Sequence, residues 1–209
     1  MDNADLVPET SLSFMLELGL LISTLIGGFL IGTIRAAYKK LRKSNINWNV
    51  HTQLHEFLTE LRVKTDAGRA QIVQFHNGEY FVDGVSMQKM SVTHESLANG
   101  VSAEASSKQN TLITLISPIM LRLEENLANI YRTDEEKPGN FKNCLEAANI
   151  DSYSVLPLFH GHIKSGFIMI QWCSKTKTQE IEKDLERILF EIHYYRNIIQ
   201  AKLGQQLKV

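Results

Sequence analysis

The chain has 209 residues, a formal net charge of −1 and 44% hydrophobic residues. That length accommodates one domain with its own core plus an appendage, and the balanced charge excludes a bulk electrostatic attraction to nucleic acid. The only cysteines, Cys144 and Cys173, exclude a disulfide framework and a C-x-x-C motif; they read either as a single bridge or as two thiols in a reduced compartment.

Residues 1–11 form a short tail carrying Asp2, Asp5 and Glu9. Residues Leu12–Ile34, "LSFMLELGLLISTLIGGFLIGTI", follow with a single charge, Glu17. The run matches the ~20 apolar residues that cross a hydrocarbon core. A cleaved signal peptide needs a basic start and a shorter apolar stretch, and this sequence has neither, so we expect a retained transmembrane helix. Glu17 either reaches water at the interface or, if deeper, marks a pore or a paired site. Arg35, Lys39, Lys40, Arg42 and Lys43 lie in the segment 35–47 directly after the span, and no Lys or Arg precedes it. The positive-inside rule places the C-terminal part in the cytoplasm, with the span in the inner (cytoplasmic) membrane. The basic segment would lie against anionic lipid headgroups. Small residues recur at every fourth position, as Gly19, Ser23 and Gly27, and as Thr24, Gly28, Gly32 and Ala36. Gly28-x-x-x-Gly32 permits close helix approach and hence a homo-oligomer, although glycine is also simply common in membrane helices.

A globular domain is expected over 48–209. Val50, Leu54, Phe57 and Leu61 mark a helix stripe. "AQIVQF" (70–75) reads as a buried strand ended by the turn dipeptide Asn77-Gly78, and a second turn at Asp83-Gly84 leads into a strand over 85–93, with a bulge between Met87 and Met90. Residues 98–110 are small and polar, the composition of a mobile loop or lid. "TLITLI" (111–116) fits strand or helix. Ser117 and Pro118 look like the N-cap and first residue of a helix. "ANIYRT" is a short strand, and "FKNCLEAANI" a short helix. "SYSVLPLF" (152–159) and "IKSGFIMIQW" (163–172) flank "HGH" as a hairpin. Thr176-x-x-Gln179 resembles a capping box. A long helix then runs to about Leu203, with Ile181, Leu185, Ile188, Ile192, Tyr195 and Ile199 as a seam for a coiled coil or for packing on its own sheet, or for both on different faces. The fold class expected is α+β: a central, mostly antiparallel sheet flanked by helices.

This order, with a helix leading into "AQIVQF", a loop-rich middle, the hairpin "SYSVLPLFHGHIKSGFIMIQW" and a terminal helix, resembles the GAF family over about residues 48–203. The resemblance implies an antiparallel sheet, terminal helices that pack together and often drive dimers, and a small ligand held between the sheet and mid-domain loops. By that analogy residues 98–110 would cover the pocket. A fainter resemblance is to the holins of T-even-type phages, carried by the single N-terminal span, "YFVDG" (80–84) and the same hairpin. That family's globular domain is periplasmic, which the basic segment here opposes, and its cysteine pattern is not matched by Cys144 and Cys173.

No Walker loop, G-x-S-x-G or H-E-x-x-H motif is present, and no enzyme is expected. His51 and His55 lie four apart on one helix, and His160 and His162 flank a hairpin glycine; neither pair has further ligands in view, so no metal site is assigned. His76, Glu79, His94 and Glu95 could converge as an acid/base set only if the fold brings them together, and no catalytic residue is assigned. The ligand-binding residues expected are Phe75 and Tyr80 for stacking and His76, Lys89 and His94 for polar contacts; no cofactor is identified. Neither cysteine falls in the loop region, which argues against an attached bilin. The function expected is a non-catalytic, single-pass membrane module that self-associates and senses a small ligand. The alternative is a holin-like protein that oligomerises into membrane lesions during host lysis.

Overall fold

The computed structural model describes residues 9–41, 48–80, 86–174, 181 and 183–206. The chain divides into two compact units, Met1–Ile46 and Asn47–Val209. The first contains helix α1, Glu9–Leu41, which extends past both ends of the apolar run. Its apolar window, Leu18–Arg35, has a mean hydropathy of 1.8 and none of it is buried. Eighteen residues span about 27 Å at 1.5 Å each, close to a ~30 Å hydrocarbon core. Ser23, Thr24 and Thr33 donate to carbonyls three residues back, at 2.9, 2.8 and 2.9 Å, which satisfies their hydroxyls within the helix. A Cβ at Gly19, Gly27, Gly28 or Gly32 would meet nothing within 4 Å, so the small-residue rows are open.

The second unit holds α2 (Trp48–Lys64), β1 (Arg69–Tyr80), β2 (Ser86–Leu97), β3 (Thr111–Leu112), a 3-10 turn (Ile113–Ile116), α3 (Ser117–Glu125), β4 (Tyr131–Arg132), α4 (Asn140–Ala147), β5 (Ser152–His160), β6 (Ile163–Trp172) and α5 (Leu185–Gln206). The strands form one antiparallel sheet in the order β3-β2-β1-β6-β5-β4, the GAF-like α+β architecture. Strands β5 and β6 are continuous apolar runs because both faces are covered. Leu156, Leu158, Ile168, Ile170 and Trp172 pack with α2 and α5; Tyr153, Val155, Phe167 and Met169 face α3 and α4. β4 pairs only with Ser152 and Tyr153, leaving the rest of β5 as an edge, where Pro157 is tolerated.

Three sequence expectations differ from the structure. Asn77-Gly78 does not end the strand: β1 runs to Tyr80, with Asn77 opposite Gln88, Tyr80 opposite Ser86 and an irregularity between. Cross-strand pairing carries the chain through the dipeptide, and the connection, Asp83-Gly84 included, lies outside the described residues. The bulge sits at Thr93, because Ile72 faces His94 while Val73 faces Val92. Ser117 is the first residue of α3 rather than its cap, because the 3-10 turn feeds straight into the helix. Of the two roles open to the seam of α5, packing on its own sheet is the one observed: Ile188, Ile192, Tyr195 and Ile199 are buried, with Ile181, against α2 and the sheet. Those residues are not available to a coiled coil; Phe190 and Tyr194, stacked at 6.3 Å, occupy the outer face. Thr176 and Gln179 lie outside the described residues.

Candidate functional site

Strand alternation gives each residue of β1 a face. Ala70 and Ile72 join the core under α2 and α5. Arg69, Gln71 and Val73 point the other way, toward the segment 98–110, α3 and α4. On that side lies a cavity of about 290 Å³. Its walls are apolar, with Val92, Ile119, Phe141, Leu145, Phe167 and Met169 prominent; Gln71, Gln171, Glu104 and Lys108 form a polar end, and Cys144 of α4 lines the wall.

The polar end is a network around Arg69, whose side chain is fully buried and whose Nε has no hydrogen-bond partner. Its guanidinium donates to Gln171 Oε1 and, at 2.6 Å, to the Ser102 carbonyl. It lies 3.0 Å from Glu104 and 3.6 Å from Glu95. Glu95 accepts the backbone N–H groups of Glu104 and Ala105, each at 3.1 Å, and the Gln71 amide at 2.8 Å. Ala98 N–H donates to the Gly68 carbonyl at 2.8 Å, and Val92 N–H to that of Lys108 at 3.2 Å. The small, polar segment expected to be mobile is therefore tied down at several points: Glu95 on β2 replaces the backbone partners that a loop lacks.

A second cluster closes the far side of α3. The Arg122 guanidinium lies 3.9 Å over the Tyr131 ring and pairs with Glu136, which accepts the Tyr153 hydroxyl at 2.7 Å. It anchors the 133–139 turn and lines no part of the cavity.

The expected ligand residues are dispersed relative to this cavity. Phe75 faces the cavity side but packs on Phe167, centroids 5.7 Å apart. His76 and Lys89 are opposite each other in the register, on the face of Ile72, and His76 Nε2 meets Ser91 Oγ at 2.9 Å. His94 turns toward α2, where its Nε2 is 3.0 Å from His51 Nδ1 and the two rings stack with centroids 5.1 Å apart. Tyr80 ends β1 in register with Ser86. Of Phe75, His76, Lys89 and His94, none lines the cavity. His94 and Glu95, successive strand residues, point to opposite faces, so the acid/base set is not assembled. Gln71, Glu104, Lys108, Gln171 and Cys144, none of them among the expected ligand residues, line the cavity instead. The available signal was polar residues at inward strand positions, Arg69 and Gln71 on β1 and Gln171 on β6. Among the described residues, no group of three His, Cys, Asp or Glu could hold a metal.

Burial, then the neighbouring His51 and His55, lowers the His94 pKa from 6.5 to about 4. The folded protein thus keeps this ring neutral at pH values where the unfolded chain takes up a proton. The stability it contributes is complete above about pH 6.5 and is lost as pH falls toward 4. Urea midpoints should therefore fall across that window, and His94→Gln should flatten the fall; an unchanged slope would assign it to other groups. Cys144 is exposed and Cys173 half-buried, both as free thiols, and burial raises the Cys173 pKa.

No family model matches the chain, and no curated protein matches its sequence. Solved structures do match in fold. The photoproduct state of a GAF domain, GAF3, from Synechocystis is 12% identical, with 76% of this chain and 95% of that chain covered and a TM-score of 0.52. The chromophore-binding domain of a bacteriophytochrome from R. palustris is 11% identical, covering 87% of this chain and 63% of that one, TM-score 0.52. A far-red absorbing dark state with bound biliverdin IXa is 14% identical, covering 83% and 97%, TM-score 0.51. At these identities the likeness is one of fold.

Proposed function

We propose that the chain is a non-catalytic, membrane-anchored module whose GAF-like domain senses a small molecule. The observation that carries this reading is the cavity between the sheet and the 98–108 segment, lined by apolar side chains and closed by the Arg69 network. Such a concave, mostly apolar site with a few placed polar groups is the usual form of a ligand pocket, and a neighbour of the same fold holds biliverdin IXa. Ligand binding shifts a state of the domain only by its differential affinity for two states. The segment 98–108 is the element that a ligand would bias, because between its backbone-bonded ends its ties to the sheet run through the Arg69 and Glu95 side chains.

Anchoring rests on the length, hydropathy and open small-residue rows of α1. The basic residues after it orient the domain to the cytoplasm, and Gly28-x-x-x-Gly32 is the contact proposed for a homo-oligomer. In right-side-out and inverted vesicles, the protein should resist carbonate extraction, and protease should reach residues 48–209 only in the inverted ones. Extraction by carbonate would refute anchoring. Digestion in right-side-out vesicles would reverse the orientation and favour the lysis reading.

A further inference from the structure

The chemistry of the cavity's lining narrows the ligand class, and this step rests on the sensing reading above. Its amides are already engaged. Gln71 Nε2 donates to Glu95 and, at 3.4 Å, to Glu104; Gln171 Nε2 donates to Gln71 Oε1 at 3.4 Å and approaches the Met169 sulfur at 3.3 Å, while its oxygen accepts from Arg69. Its charges cancel as well: Arg69 and Lys108 stand against Glu95 and Glu104, with Lys108 3.8 Å from Glu104. A ligand carboxylate placed there would give up its water and find no uncommitted cation, since Arg69 is enclosed by two carboxylates and Lys108 shares one of them. The rest of the wall is apolar except for the Cys144 thiol and the Thr111 and Ser107 hydroxyls, and Ser107 already donates to the Glu104 carbonyl at 3.0 Å. A volume of about 290 Å³ is roughly twice the ~150 Å³ of a cavity that takes up one benzene, room for about ten non-hydrogen atoms and far fewer than a linear tetrapyrrole has.

We infer that the cavity takes an uncharged, predominantly apolar molecule of about ten non-hydrogen atoms, and not a bilin or a small carboxylate. The free thiol of Cys144 on the cavity wall supplies the readout. The full chain in nanodiscs is alkylated with N-ethylmaleimide, and the rate at Cys144 is followed by mass spectrometry, with Cys173 as internal control. Benzyl alcohol, benzoate and biliverdin are titrated in turn. Benzyl alcohol should slow Cys144 selectively, and benzoate should need at least a tenfold higher concentration.

Protection by benzoate at equal or lower concentration, lost in Lys108→Met, would make the cavity a carboxylate site and overturn the inference while leaving the sensing reading standing. Protection by biliverdin alone would do the same in favour of a tetrapyrrole. Protection by none of the three probes would overturn both.

Discussion

Arg69→Met is expected to cost about 3–5 kcal/mol of stability, the range for removing one partner of a buried ionic group. The arginine is fully buried and stands between Glu95 and Glu104. Its loss leaves two carboxylates facing each other with only Lys108 nearby, and removes the donor to Ser102. The penalty comes from stranded charge rather than lost volume, since methionine fills much of the space. Two consequences separate these causes. Lowering the pH should restore part of the stability of Arg69→Met as a carboxylate takes up a proton. The triple variant Arg69→Met, Glu95→Gln, Glu104→Gln should recover a substantial part of the loss at neutral pH. Chemical denaturation of the single and triple variants gives the comparison; equal stability of the two would mean that packing, not charge, holds the 98–108 segment.

Gly166→Ala should be as damaging for a different reason. β6 passes β1 so closely at this point that a Cβ would lie 2.0 Å from the Val73 carbonyl oxygen and 3.0 Å from Gln74 Cα. Both are backbone atoms in the sheet's central pair, so relief requires separating β1 from β6. Overpacking of a core costs about 1–3 kcal/mol and sometimes more; with backbone on both sides we expect about 3 kcal/mol or outright failure to fold. Gly204→Ala in α5 is the control. Nothing lies within 4 Å of its Cβ position, so the change should be neutral or stabilise by up to ~1 kcal/mol through helix propensity. Thermal unfolding of the two variants side by side should show opposite signs. Similar small shifts in both would place the β1–β6 spacing wider than described.

The architecture was legible where burial imposes a pattern. β5 and β6 are covered on both faces, so they appear as unbroken apolar runs around a two-residue turn, and the stripe of α2 follows directly from its 3.6-residue period. The site was not legible, and the bulge explains much of this. From Val92 on the cavity face, a period of two places His94 on the same face. Thr93 is the extra residue opposite Ile72–Val73, so His94 is sent to α2 and His51 instead. A one-residue slip of this kind reverses every side chain beyond it. Asn77-Gly78 carries a strong turn signal, yet cross-strand pairing continues β1 to Tyr80. Glu104, Lys108 and Cys144 reach the cavity only through tertiary folding: their local sequence carries helix and loop propensities, and nothing in it refers to β1.

The proposed function requires that this domain bind a small molecule on one face of its sheet. Methyl NMR of the full chain in micelles, labelled at Ile, Leu, Val and Met and titrated with benzyl alcohol, tests it directly. Shifts should concentrate at Met90, Val92, Ile119, Leu145 and Met169, which line the cavity, and spare Ile72, Ile168 and Ile170 across the sheet. Shifts centred on the α2–α5 side, or none at saturating probe, would contradict it.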